Sequence, residues 1–73
     1  MGEREQKLVE VVKRVLDVKE ISLDTKKEDV EEWDSLKHLN LVLEIEEEFG
    51  VSIPLEKIGE IETVRDFLKF LEG

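Results

Sequence analysis

The chain has 73 residues, no cysteine, one histidine and a formal charge of −9, from 20 acidic against 11 basic side chains. That length suits one small domain with a thin core, and the lack of cysteine excludes disulfides, thiolate metal sites and a thiol nucleophile. The acidic balance sets it against nucleic-acid phosphates and anionic lipid surfaces, and makes basic patches on other proteins its natural complement.

Nearly equal shares of apolar and charged residues, 40% and 42%, with a single proline, fit a compact helical domain better than a disordered tail. No apolar run is long enough to span a bilayer, and residues 1–20 lack the apolar stretch of a signal peptide. A cytoplasmic, monomeric protein is the expectation, with no metal site.

In chain order, Leu8, Val11, Val12, Val15 and Leu16 repeat as one buried stripe and predict a helix over about 3–18. On its polar face Glu10 and Arg14 are spaced for an i, i+4 ion pair. Residues 19–33 then read as a long loop, tacked onto the core by Ile21, Leu23, Val30 and Trp33. A loop this long in so small a domain is often functional. It holds no calcium site: counted from Asp24, the sixth position is Asp29 rather than glycine and the twelfth is Ser35 rather than glutamate.

The second helix is predicted over 35–49, with Asp34 as N-cap and Gly50 as the C-terminal stop. A short helix over 54–59 opens on Pro54, and a last one over 63–72 is capped by Thr63 with Asp66 three residues on. Val64, Phe67, Leu68 and Leu71 give that helix its inward stripe. The fold class is all-α, a small bundle of three main helices and one short one in a single domain over 1–73.

Helix two carries more apolar surface than one core face needs. Leu41, Val42, Ile45 and Phe49 share one side, while Leu36, Leu39 and Leu43 form an adjacent strip. On pattern alone the second strip is read as buried in a central helix; the alternative is a partner surface. Glu44, Glu46, Glu47 and Glu48 read as a solvated face that can also steer a basic partner.

Ser35 admits three readings. It is a residue suited to a helix start; or a nucleophile with His38 as base and Asp34 as orienting acid; or an attachment point for an anionic group, which the free amides and positive end of the helix would favour. The hydrolase reading lacks a glycine-rich oxyanion hole and a G-x-S-x-G elbow.

The run "WDSLKHLNLVLEIEEEFGVSIP" followed by "ETVRDFLKFL" resembles the acyl carrier protein family over the second, third and fourth helices. The resemblance implies a four-helix bundle that is a substrate of enzymes and not itself one. It implies that Ser35, in Asp34-Ser35-Leu36, carries 4′-phosphopantetheine, which a phosphopantetheinyl transferase donates from coenzyme A using magnesium. The protein is then a phosphoprotein of fatty-acid, polyketide or related lipid metabolism. Alternatives are a peptidyl or aminoacyl carrier, or an acidic interaction module without a prosthetic group. Partner recognition falls to Leu36, Lys37, Leu39, Asn40, Leu43, Glu44, Glu47 and Glu48, facing basic patches on acyl-loading enzymes, synthases and transferases. Glu32-Trp33 before the motif and Lys37, His38 and Asn40 after it depart from housekeeping fatty-acid carriers and suggest a specialised one, with His38 as a polar surface residue.

Overall fold

The structure, a computed structural model, describes residues 2–71. Helix α1 spans Glu3–Leu16 and buries Leu8, Val11, Val12 and Leu16. It stops two residues earlier than its periodicity predicts. Asp17 turns left-handed (φ 58°, ψ 47°), and its N–H and that of Val18 both reach the Lys13 carbonyl. Aspartate tolerates that conformation through its short polar side chain, so the stop needs no glycine. Arg14 does not take up the expected pairing with Glu10; its guanidinium reaches across to Glu44 of the next helix instead.

The stretch predicted as a long loop is only partly irregular. Lys27–Asp29 forms a 3-10 turn, and Lys26 and Thr63 make an isolated antiparallel bridge. Around it the Lys27 N–H donates to the Glu62 carbonyl at 2.7 Å, Val64 N–H to Thr25 at 3.2 Å and Arg65 N–H to Leu23 at 2.8 Å. These bonds satisfy backbone groups that would otherwise be stranded against the bundle. As expected, Ile21, Leu23 and Val30 pack on the core and Trp33 is buried in it.

Helix α2 spans Ser35–Phe49, capped by the Asp34 carboxylate, which accepts the Lys37 N–H at 2.9 Å. Gly50 ends it in the left-handed region at φ 66°, as its position predicts. Glu46 then holds the chain reversal at both its ends: its carbonyl accepts from Gly50 and Val51, and its carboxylate accepts the Ile53 N–H at 2.7 Å.

Helix α3 is the single turn Leu55–Ile58. Pro54 keeps an extended ψ of 140° and stands outside as the N-cap, so α3 begins one residue later than expected. Thr63 and Asp66 form a complete capping box. The run they start is a 3-10 turn over Val64–Phe67 that relaxes into helix α4, Leu68–Leu71. The predicted last residue of this helix, 72, lies outside the described residues.

One core joins these pieces. Leu8, Val12 and Leu16 of α1, Leu41 and Ile45 of α2, and Ile61, Val64 and Phe67 near the C-terminus are all essentially solvent-free. No strand occurs among the described residues, and the architecture is the expected all-α bundle of three main helical segments and one short one.

Phe67 is the bulkiest of these solvent-free side chains. A domain of this size has about 4–11 kcal/mol of stability, and Phe67→Ala is expected to remove about 3–5 kcal/mol of it. Urea titration followed by circular dichroism should show the midpoint falling steeply; an unchanged midpoint would contradict the packing.

Partial burial pushes the Asp66 carboxyl upward, but the N–H groups of Glu62 and Thr63, the Thr63 hydroxyl and the charge of Lys69 outweigh it. The net effect holds Asp66 below its ordinary 3.8. A depressed folded value contributes stability that is present above 3.8 and lost as pH falls below it toward the folded value. Asp66→Asn should therefore flatten the acid limb of a stability–pH curve, read from melting temperatures between neutral and strongly acidic pH.

Candidate functional site

The first turn of α2 is where backbone geometry and exposure combine. Asp34, Ser35 and Leu36 are all exposed; Trp33 before them is buried, and after the partly buried Lys37 so is His38. Ser35 is the first helical residue. Among the described residues no protein group accepts the N–H of Ser35 or of Leu36. Two free amides and the positive end of a 15-residue helix thus surround the serine hydroxyl. The Asp34 carboxylate is turned to the Lys37 amide and away from solvent-side chemistry.

His38 corrects the sequence expectation of a polar surface residue: it is only 6% exposed. Its Nδ1 accepts the Trp33 indole N–H at 2.9 Å, and its Nε2 lies 2.8 Å from the Ile58 carbonyl at the end of α3. With both ring nitrogens engaged inward, the imidazole has no position from which to take a proton from Ser35. The triad of Asp34, Ser35 and His38 is therefore not assembled as a hydrolytic site.

Lys37, expected to take part in partner recognition, is partly buried. Its ammonium reaches the Val15 carbonyl at 3.3 Å, in the last turn of α1, where a cation neutralises unpaired carbonyls. Asn40 remains exposed.

The leucine strip is resolved in favour of exposure. Leu36 is 68% exposed, Leu39 50% and Leu43 64%, and Leu55 on α3 reaches 84%. The burial reading preferred on pattern fails because α2 meets the core through His38, Leu41, Val42, Ile45 and the partly buried Phe49, while nothing in the bundle covers the adjacent face.

The acids of α2 divide by environment. Glu44 pairs with Arg14 at 2.8 Å; Glu48 lies 3.6 Å from Arg14 and 4.0 Å from Lys7. Lys7 also sits 5.2 Å over the Phe49 ring and donates to the Glu48 carbonyl. Glu46 is committed to the Ile53 amide. Glu47 is exposed, and no ion pair engages it among the described residues. Trp33, His38 and Glu46 are the structural contributors that helical periodicity did not single out. The available signal was an indole donor and a lone imidazole five residues apart across a helix start.

Surface hollows lie elsewhere, one between α1 and the Ser22–Leu23 stretch and two flanking the Lys26–Thr63 bridge and the Lys57–Lys69 side, and none is lined by Ser35. A group joined to this serine therefore starts in solvent, which suits an attached arm and not an enclosed reaction. Among the described residues no cluster suited to a metal ion occurs, and no helix is long and apolar enough to cross a membrane.

Residues 6–71 match the family described as phosphopantetheine attachment site. The acyl carrier protein of Treponema pallidum (strain Nichols) is 52% identical over 40 residues, 55% of this chain and 51% of that protein. That of Rickettsia bellii (strain RML369-C) is 33% identical over 70 residues, covering 93% and 81% of the two chains. A probable acyl carrier protein of Caulobacter vibrioides (strain NA1000 / CB15N) is 40% identical over 38 residues, 52% of this chain and 44% of that one. Against the Treponema relative, the matched chain spans about half the length. The fold is an acidic helical bundle with an exposed serine at the start of its second helix. The chain belongs to the acyl carrier protein family, whose prosthetic group is 4′-phosphopantetheine.

The cap that sets the serine's position can be tested by itself. Asp34→Ala should cost about 1 kcal/mol of stability, and Asp34→Asn only a fraction of that. Thermal denaturation of the two variants checks the order; equal losses would mean that the Lys37 amide bond is not what fixes the helix start.

Proposed function

We propose that the chain, acting as a single carrier domain over residues 1–73, holds acyl intermediates on a 4′-phosphopantetheine arm joined to Ser35. The observation that carries this reading is the exposed Ser35 hydroxyl at the amide-rich start of α2, within a chain matched over residues 6–71 by the attachment family. In the attachment step the Ser35 oxygen bonds to the phosphorus of the phosphopantetheine half of coenzyme A, its proton leaves, and the adenosine bisphosphate half departs. A phosphopantetheinyl transferase with magnesium performs that exchange. When bound, the arm supplies the thiol that a chain without cysteine lacks, and acyl groups are held there as thioesters.

This chain's residues have separate tasks around that bond. The Ser35 and Leu36 amides face the phosphodiester's charge. Asp34 holds the turn in place. Leu36, Leu39 and Leu43 form the apolar docking strip, and Glu47 with the rim of Glu44 and Glu48 draws basic patches on the transferase, loading enzymes and synthases. His38 serves the fold, while the partly exposed Lys37 and the exposed Asn40 complete the partner-facing set. Fatty-acid, polyketide or related synthesis is the setting proposed.

The test is direct. The apo chain is incubated with coenzyme A, magnesium and a promiscuous phosphopantetheinyl transferase, and weighed by mass spectrometry. The wild type should gain one phosphopantetheine; Ser35→Ala should gain none; Ser35→Asn should gain none while nearly keeping its melting temperature, because Ser35 is exposed and Asp34 remains the cap. No adduct on the wild type, or one that persists on Ser35→Ala, would sink the assignment.

A further inference from the structure

An indole N–H is only a donor, so the Nδ1 that receives it carries no proton, and the neutral ring's proton must sit on Nε2. Nε2 then donates to the Ile58 carbonyl at 2.8 Å. Partner chemistry alone thus selects one tautomer and one ring orientation. The ring is also packed from two sides, with the Trp33 and Phe67 ring centroids at 6.0 Å and 6.4 Å. His38 thereby joins the approach loop, α2, α3 and the last helical run at a single side chain.

Its placement relative to Ser35 is what matters. Trp33 precedes the serine by two residues and His38 follows it by three, and their side chains bond beneath it at 2.9 Å. Within the ring so closed, the Asp34 carboxylate accepts from Lys37 N–H and the Asp34 carbonyl from His38 N–H at 2.8 Å. Residues 33–38 therefore form a clasp with buried ends and an exposed apex of Asp34, Ser35 and Leu36. The Nε2 bond extends the clasp to α3, whose first residue, Leu55, is the most exposed large apolar side chain among the described residues.

We propose that His38 is a positioning residue for modification of Ser35: through Trp33 and Ile58 it presents the serine and α3 to the modifying enzyme as one preordered surface. The proposal rests on the assignment of Ser35 as the attachment point. Without the clasp, the enzyme must order residues 33–38 and α3 at each encounter, and that ordering opposes docking. Once docked, the Ser35 oxygen meets the same reacting phosphorus. The loss therefore falls on KM for the carrier and spares kcat.

The experiment measures steady-state transfer from coenzyme A by one transferase to wild type, His38→Ala, His38→Gln and Trp33→Phe. Glutamine retains one acceptor and one donor; phenylalanine removes the indole N–H while keeping most of the ring buried. His38→Ala should raise KM roughly tenfold, as expected for loss of hydrogen bonds that leaves a buried partner unsatisfied, with kcat within about twofold. His38→Gln should recover most of that loss, and Trp33→Phe should show a smaller KM rise with a lowered melting temperature, because it leaves the buried Nδ1 without its donor.

Nitrogen-15 NMR of the unmodified proteins supplies a readout independent of transfer. The wild type should show the Nε2–H tautomer and an exchange-protected indole N–H, and the protection should be lost in His38→Ala. If His38→Ala does not fold, Trp33→Phe and His38→Gln decide by the same KM and NMR readings. Wild-type KM in a folded Trp33→Phe, a glutamine variant no better than alanine, or the opposite tautomer would overturn the proposal. A wild type that takes no arm on Ser35 would instead overturn the assignment beneath it, while the NMR result would still report on the clasp.

Discussion

The packing of α2 against α1 is the constraint on which the rest of the structure depends. Leu41, Val42 and Ile45 are buried in one core with Leu8, Val12 and Leu16, and a chain this short without a disulfide depends on that core for its stability. At 100° per residue, committing those positions inward rotates Leu36, Leu39 and Leu43 out of the bundle. The exposed strip is therefore a geometric result of burying the other one. Placing the start of the helix at Asp34 then leaves Ser35 exposed in its first turn, beside the exposed Leu36.

What was legible in the sequence were features with short range. Asp34, Gly50 and the Thr63–Asp66 pair act within one helical turn, and each works as its residue type demands. The inward stripes of α1, α2 and the last helix follow from periodicity alone. The misses have longer reach or an unusual residue in a familiar role. Asp17 ends α1 in a conformation normally given to glycine. Lys37 and His38 look like surface residues on a helix wheel, yet the first finds a carbonyl 22 positions earlier and the second one 20 positions later. The approach loop also bonds to a segment roughly forty residues away, which no local pattern announces.

Charge is arranged with the same economy of surface. The acids of α2 are not uniformly offered outward, since Arg14 and Lys7 of α1 stand against Glu44 and Glu48. Exposed pairs of this kind add little stability; their larger effect is on the outside field. Outside these pairs stand Glu47 and, in the chain leading to Ser35, Glu28, Asp29, Glu31, Glu32 and Asp34.

Trp33 is the chain's only tryptophan, and there is no tyrosine. The molecule's sole strong fluorophore thus stands two residues from the serine, in hydrogen-bond contact with an imidazole. Its emission is an unlabelled optical signal from the one turn where a partner, a cofactor or a change of helix packing would first be felt.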